Sequence, residues 1–198
     1  MKVLTAASAI QSTLGVEKGY ANDTTDRGGE TYAGISRKYH PNWSGWSVID
    51  DLKKAPGFPK TLNTYAGLQD SVVAFYKAEY WDKINADALP RLLGAEVFDA
   101  AVNSGISTAI KFLQKSLNIL NRNGVSWKDI SEDGKIGPNT LAAVTSCIAD
   151  DRDASLLLTT YRVIRGSFYI DIMRSDTTQE RFARGWLKRL NLVSQSRI

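Results

Sequence analysis

Apolar residues recur at three- and four-residue steps along most of the chain, the period of an α-helix that rests one face on a core. Val3, Leu4, Ala7, Ile10 and Leu14 mark a first helix over about 3–17. After breaks at Pro56, Gly57 and Pro59, a second stripe runs through Leu62, Tyr65, Leu68, Val72, Phe75, Tyr76 and Tyr80, and its amphipathicity predicts packing against the first helix. "DALPRLLGAEVFDAAVNSG" opens on a polar residue and a proline and closes on glycine, as a capped helix does. A further helix is predicted at "TAIKFLQKSLNIL". The polar hinge "NRNGVSWKDISEDGKIGPNT" then feeds a helix with Pro138 in its first turn. "ASLLLTTYRVIRGSFYIDIM" and "QERFARGWLKRLN" close the chain as two more helices. Between the first two stripes the period fails. Residues 18–34 are polar and glycine-rich, which predicts a small β-hairpin around 22–36, while "YAGISRKYHPNWSGW" is too aperiodic to assign. The expected fold is mainly α with a small β-hairpin lobe.

Composition narrows the chemistry. With 198 residues, 43% of them apolar, the chain can bury a core, and no apolar run approaches the roughly 18 residues that cross a bilayer. The start "MKVLTAASAIQS" imitates an export signal, but its apolar positions are periodic rather than continuous, so no cleaved leader and no stable membrane insertion are expected. One cysteine, Cys147, excludes an internal disulfide and a multi-cysteine metal site, and its neighbours "AAVTSCIA" predict a buried thiol. One histidine, His40, excludes any centre that needs two, so no metal or cofactor is expected. The net charge of +4 is uneven: residues 162–198 hold eight Lys or Arg against three Asp or Glu. Such an end suits a polyanion or is simply a solvated helix face. No helix-turn-helix or stacked-aromatic pattern points to nucleic acid.

The chemistry concentrates in "EKGYANDTTDRGGETYAGI", residues 17–35. Glu17 follows the first apolar stripe and precedes Gly19, a natural helix terminator. At the negative end of a helix dipole, beside apolar neighbours, a carboxyl is held protonated more often, which suits a general acid. Asp26 sits among glycines in a polar setting that keeps it ionised and able to polarise a water. A protonated and an ionised carboxyl flanking a cleft are the pair that splits glycosidic bonds. Thr31 adds a hydroxyl for the same water, Gly28 and Gly29 let backbone approach a bulky substrate, and Tyr20 and Tyr32 offer flat faces to sugar rings. Ordinary turns are built from the same residue types, and Asn22, Asp23 and Asp26 also suit that role.

The pattern E-K-G-Y-x-N-D-x-x-D-x-G-G-x-T-x-x-G-I resembles the opening motif of glycoside hydrolase family 108, lysozyme-like N-acetylmuramidases of bacteria and phages, some described as secretion activators. Glu17, Gly19, Tyr20, Asn22, Asp26, Gly28, Gly29, Thr31, Gly34 and Ile35 carry the match. The resemblance implies a lysozyme-like fold, Glu17 as the catalytic residue, and Asp26 and Thr31 as the groups that place water, with Tyr20, Asn22, Gly28, Gly29 and Tyr32 binding substrate. Lys18 departs from the family, which usually has glycine there; a cation beside the acid lowers its pKa or reaches a substrate carboxylate, and the side chain is expected to point away. Downstream, "FDAAVNSG" is similar to the family's next segment, so Asn103 is a candidate for a sugar hydrogen bond or, equally, a helix C-cap before Gly105. "FLQKSLN…DGKIGPNTLAAV" is similar to peptidoglycan-binding modules, whose D-G-x-x-G-x-x-T appears as Asp133, Gly134, Gly137 and Thr140; a tight turn feeding a helix is its structural role.

Glu79, Glu96 and Asp99 rank below Asp26 because none lies in a glycine-rich concavity, though Asp99 is placed to face the cleft floor or to brace it. The expected organisation is a lysozyme-like catalytic domain over 1–92 and a helical peptidoglycan-binding-like domain over 93–198. The expected activity is hydrolysis of the β-1,4 bond between N-acetylmuramic acid and N-acetylglucosamine by a monomer acting on peptidoglycan glycan strands. It would be synthesised in the cytoplasm and reach the periplasm or wall on release. Two alternatives stand beside it: a non-catalytic wall-binding accessory protein and a lytic transglycosylase.

Overall fold

The computed structural model describes residues 5–15, 19–22, 29–152, 154–190 and 192. The chain divides into two compact units, Met1–Lys83 and Ile84–Ile198.

In the first unit, helix α1 spans Ala6–Leu14 and is capped reciprocally: the Ser8 amide donates to Thr5 Oγ1 at 3.1 Å and the Thr5 amide to Ser8 Oγ at 2.8 Å. It buries Ala9, Ile10 and Leu14 and ends at Gly15, whose φ of 61° suits a residue without Cβ. The helix therefore stops earlier than the apolar stripe suggests, with Gly15 rather than Gly19 as its terminator. Strands β1 (Tyr20–Asn22), β2 (Glu30–Tyr32) and β3 (Ile35–Ser36) form an antiparallel sheet in sequence order. The predicted hairpin thus gains a third strand. The added turn has Ala33 and Gly34 both left-handed, at φ 47° and 81°, the geometry of a two-residue hairpin connection. Tyr76 fixes that turn by donating its hydroxyl to Ala33 O at 2.9 Å.

Helix α2 (Gly45–Leu52) fills the unassigned aperiodic stretch, with Trp46 and Ile49 inward and the Trp46 indole donating to His40 O at 2.8 Å. Only glycine fits at position 45, where a Cβ would stand 2.3 Å from the Trp43 ring. The second apolar stripe is not one helix but three segments. A 3₁₀ turn spans Lys60–Thr64, α3 spans Ala66–Tyr76, and a wider π-type turn spans Lys77–Trp81. The break falls at Tyr65, which is extended and exposed. Leu68, Val72 and Tyr76 face inward, and α3 packs on α1 as predicted.

The second unit holds α4 (Arg91–Ser104), α5 (Ile106–Leu120), α6 (Pro138–Asp151), α7 (Ser155–Ser175), a 3₁₀ turn (Thr177–Phe182) and α8 (Ala183–Arg189). Gly105, at φ 89°, closes α4 and opens α5, so the two pack side by side, and α5 packs in turn on α7. A charge cluster ties α4, α7 and α8 together. Arg165, 0% exposed, donates from Nη1 to Glu96 Oε1 at 2.8 Å, from Nη2 to Asp99 Oδ2 and from Nε to the Tyr169 hydroxyl at 2.8 Å. Arg162 takes the other oxygen of Glu96 at 2.8 Å and Arg189 the other oxygen of Asp99 at 2.9 Å. Burial opposes the Arg165 charge, and Asp99, Tyr169 and Glu96 together more than restore it. Three of the eight cations in 162–198 are thereby spent on internal structure.

Candidate active site

On β2, side chains alternate between faces, and the pairs Tyr20↔Tyr32 and Asn22↔Glu30 place those four residues on one face of the sheet. Ala21↔Thr31 lies on the other. The first face meets α2 through Glu30, whose side chain is only 12% exposed. Its carboxylate accepts from the Tyr20 hydroxyl at 3.0 Å and lies 3.1 Å from Arg37 Nη1 and 2.7 Å from Lys53 Nζ. Asp50 closes the ring at 2.8 Å from Arg37 and 2.9 Å from Lys53, and these two cations hold its carboxyl down at about 2. Two carboxylates and two cations neutralise one another, and Arg37 also stacks over Trp46 at 4.7 Å. This network pins the sheet to α2. Sequence reasoning weighed none of its charged members, although the strand's alternation puts Glu30 on the same face as Tyr32.

The structure places both tyrosines in contacts of the fold. Tyr32 is 2% exposed; its ring lies against Trp43 at 6.4 Å, and its hydroxyl donates to Leu62 O at 3.2 Å and accepts from Gln69 Nε2 at 2.7 Å. It anchors the sheet to the 3₁₀ turn and to α3. Tyr20 turns its ring onto Phe58, edge to face at 4.8 Å, and its hydroxyl is spent on Glu30. Both stand on the opposite sheet face from Thr31, so the three do not line one surface.

Thr31 is half-buried and donates its hydroxyl to Gly29 O at 3.2 Å, which leaves its oxygen lone pairs to accept. Gly29 is left-handed at φ 60°, and no other described residue lies within 4 Å of where a Cβ would be. Asn22 is exposed at the end of β1. Glu17, Lys18, Asp26 and Gly28 lie outside the described residues. A cavity of about 530 Å³ opens beside the end of α1, bounded by Leu14 and Gly15, the Tyr32–Ala33 turn, Asn63, and Gln69, Val72 and Val73 of α3.

In the second unit the Asp133–Gly134–Gly137–Thr140 motif folds around a buried amide. Gln114, 1% exposed, accepts from the Gly134 amide at 2.9 Å, and its Nε2 lies 2.8 Å from Asp133 Oδ1 and 3.0 Å from Lys135 O. One and two turns along the same face of α5, Asn118 exchanges two 2.9 Å hydrogen bonds with Ile130 and Asn121 accepts from the Gly124 amide at 3.0 Å. Two amides on α5 and a third at its C-cap, Asn121, thus carry the hinge loop. Gly134 has φ 73°, and a Cβ there would stand 2.2 Å from Ser107 Oγ. Asn103 is exposed and donates Nδ2 to Asp99 O, one turn back in α4, at 2.7 Å. Asp99 braces Arg165 and Arg189, and Glu79 pairs locally with Lys83. Among the described residues no group of acidic, histidine and cysteine side chains is placed to hold a metal, and no helix is long and apolar enough to cross a membrane.

A three-stranded lobe behind a short helix, followed by a helical unit folded on an Asp-Gly motif, makes a two-part, mainly α protein. Residues 10–105 match the family model Glycosyl hydrolase 108, and residues 108–191 match the model Predicted Peptidoglycan domain. The chain carries a domain similar to glycosyl hydrolase 108 followed by a C-terminal peptidoglycan domain, the combination of a peptidoglycan hydrolase. The solved structure of Brucella abortus SagA is similar, with a TM-score of 0.56 and 25% identity, covering 93% of this chain and 88% of that one. No curated protein matches the sequence.

Proposed function

We propose that the protein is an N-acetylmuramidase that hydrolyses the β-1,4 bond between N-acetylmuramic acid and N-acetylglucosamine, with Glu17 as general acid. The observation that carries the proposal is the match of residues 10–105 to a glycosyl hydrolase family, over a stretch in which Glu17, Asp26 and Thr31 keep the order that acid, water-orienting carboxylate and hydroxyl require. Glu17 gives its proton to the glycosidic oxygen as the bond to the anomeric carbon breaks. Asp26 accepts a proton from the attacking water, whose other O–H rests on Thr31. Oxygen of that water becomes the new anomeric hydroxyl, and the product is a reducing end with inverted configuration. The Thr31 hydroxyl proton is occupied by Gly29 O, so this side chain serves the water as an acceptor.

The second module supports a substrate held in a wall, since residues 108–191 match a peptidoglycan domain. Residues 1–92 are proposed as the catalytic part and 93–198 as the wall-directed part, acting as a monomer once the protein reaches the wall from the cytoplasm. Mass spectrometry of fragments released from purified sacculi tests the reaction. Reducing N-acetylmuramic ends are expected; anhydro-muramic ends would assign a lytic transglycosylase instead, and bound protein with no fragments would assign an accessory role.

A further inference from the structure

The cavity beside the end of α1 has a chemistry that the fold does not use. Gln69 is pinned there: its Nε2 donates to the Tyr32 hydroxyl at 2.7 Å and to Leu62 O at 3.1 Å. A carbonyl oxygen can only accept, so the atom facing Leu62 O must be the nitrogen, and the orientation of the amide is fixed. Gln69 Oε1 is then a held acceptor on a cavity-lining side chain, and it accepts no hydrogen bond from any described residue. Leu14 and Val72, both buried, and half-buried Val73 supply an apolar recess beside it. Asn63, exposed on the rim, adds a carboxamide able to donate. At about 530 Å³ the space falls within the usual range of small-molecule sites.

An acetamido group carries one N–H, one carbonyl oxygen and one methyl, which ask for an acceptor, a donor and an apolar recess. The geometry points to this cavity as a subsite for the 2-acetamido group of an amino sugar, with Gln69 Oε1 taking the N–H, Asn63 the carbonyl, and Leu14, Val72 and Val73 the methyl. Gly15, on the cavity wall, precedes Glu17 by two residues in sequence, so the subsite deepens the muramidase proposal and rests on it. Both sugars of the glycan carry the group, and the cavity selects for it over a 2-hydroxyl, which would leave Gln69 Oε1 and the recess unfilled.

Titration of the full-length Glu17→Gln variant with N,N′,N″-triacetylchitotriose and with cellotriose, its neutral 2-hydroxy counterpart, tests the inference by NMR or calorimetry. Triacetylchitotriose is expected to bind at least tenfold more tightly. Adding Val73→Trp, which fills the recess, should remove that preference, and Asn63→Leu, on the exposed rim where folding is not at stake, should weaken the acetylated trimer several-fold and leave cellotriose unchanged. Equal binding of the two trimers, or an unchanged preference in both variants, would overturn the subsite. Loss of lysis in Glu17→Gln with no effect of either cavity variant refutes the subsite alone, whereas no lysis by the parent protein refutes the reading beneath it.

Discussion

Removing the Arg165 guanidinium from the second unit gives a direct measure of how far the charge cluster holds α4, α7 and α8 together. Arg165→Met keeps most of the side-chain volume and deletes the bonds to Glu96, Asp99 and Tyr169. Breaking a buried ion pair costs about 3–5 kcal/mol, because the remaining charge is left without compensation. Here each carboxylate keeps a second cation, Arg162 for Glu96 and Arg189 for Asp99, which puts the expected loss at the low end, about 3 kcal/mol. For a unit of this size that is roughly a 10 °C fall in melting temperature. Urea or thermal unfolding followed by tryptophan fluorescence, to which Trp186, stacked on Tyr169 at 5.1 Å, contributes from this unit, measures the loss. The double variant Glu96→Leu/Arg165→Met removes the stranded charge and should recover at least half of the loss. A fall below about 1 kcal/mol, or a double variant no better than the single one, would refute the view that these charges are desolvated and interdependent.

Gly134→Ala should destabilise the same unit by about 2 kcal/mol or more, since the left-handed backbone alone costs roughly 1–2 kcal/mol and the new methyl meets Ser107; an unchanged urea midpoint would contradict the packing at this turn. Asp50 has a folded pKa of about 2, below its ordinary value of 3.8, so its contribution is complete above about pH 4 and is lost as pH falls through 2. Its side chain is 47% exposed, which limits the effect to under about 1 kcal/mol, and Asp50→Asn should flatten the stability slope between pH 2 and 4, where an unaltered slope would exclude the Arg37–Lys53 clamp as its cause. The Cys147 thiol is pushed up to about 11 by burial and by Asp151, so at pH 8 a disulfide reagent should leave the native protein unmodified and label it on unfolding; rapid labelling of the native state would contradict its placement.

The helices of the second unit were legible because their apolar period, Pro138 and Gly105 agree with the structure, although the expected closing helix divides into a 3₁₀ turn and the short α8. The first unit was less so, for identifiable reasons. Helix α2 is short and has its inward residues, Trp46 and Ile49, in a stretch crowded with Pro, Gly and Ser, where no period can build up. Tyr65 fits the helical spacing of the second stripe, yet an extended residue there lets the chain turn from the 3₁₀ segment into α3. At the candidate site the residue types were visible but the sheet faces were not. Strand alternation separates Thr31 from Tyr20 and Tyr32, and the buried Tyr32 serves the fold. The amide ladder of Gln114, Asn118 and Asn121 left only a faint trace, polar residues on an otherwise apolar helix face, because the loop they serve is distant from them in sequence. Glu30 and Arg165 show the complementary limit: a charged residue signals solvent until the partners that neutralise it are brought beside it in space.

The central claim is that Glu17 carries hydrolysis of the glycan. Loss of turbidity of purified peptidoglycan sacculi, measured with the native protein and with Glu17→Gln at equal concentration, tests it most directly. The isosteric amide cannot donate the acid's proton, so lysis should fall at least about 10²-fold, with the melting temperature and sacculus binding retained. Equal clearing by the two proteins would contradict the account.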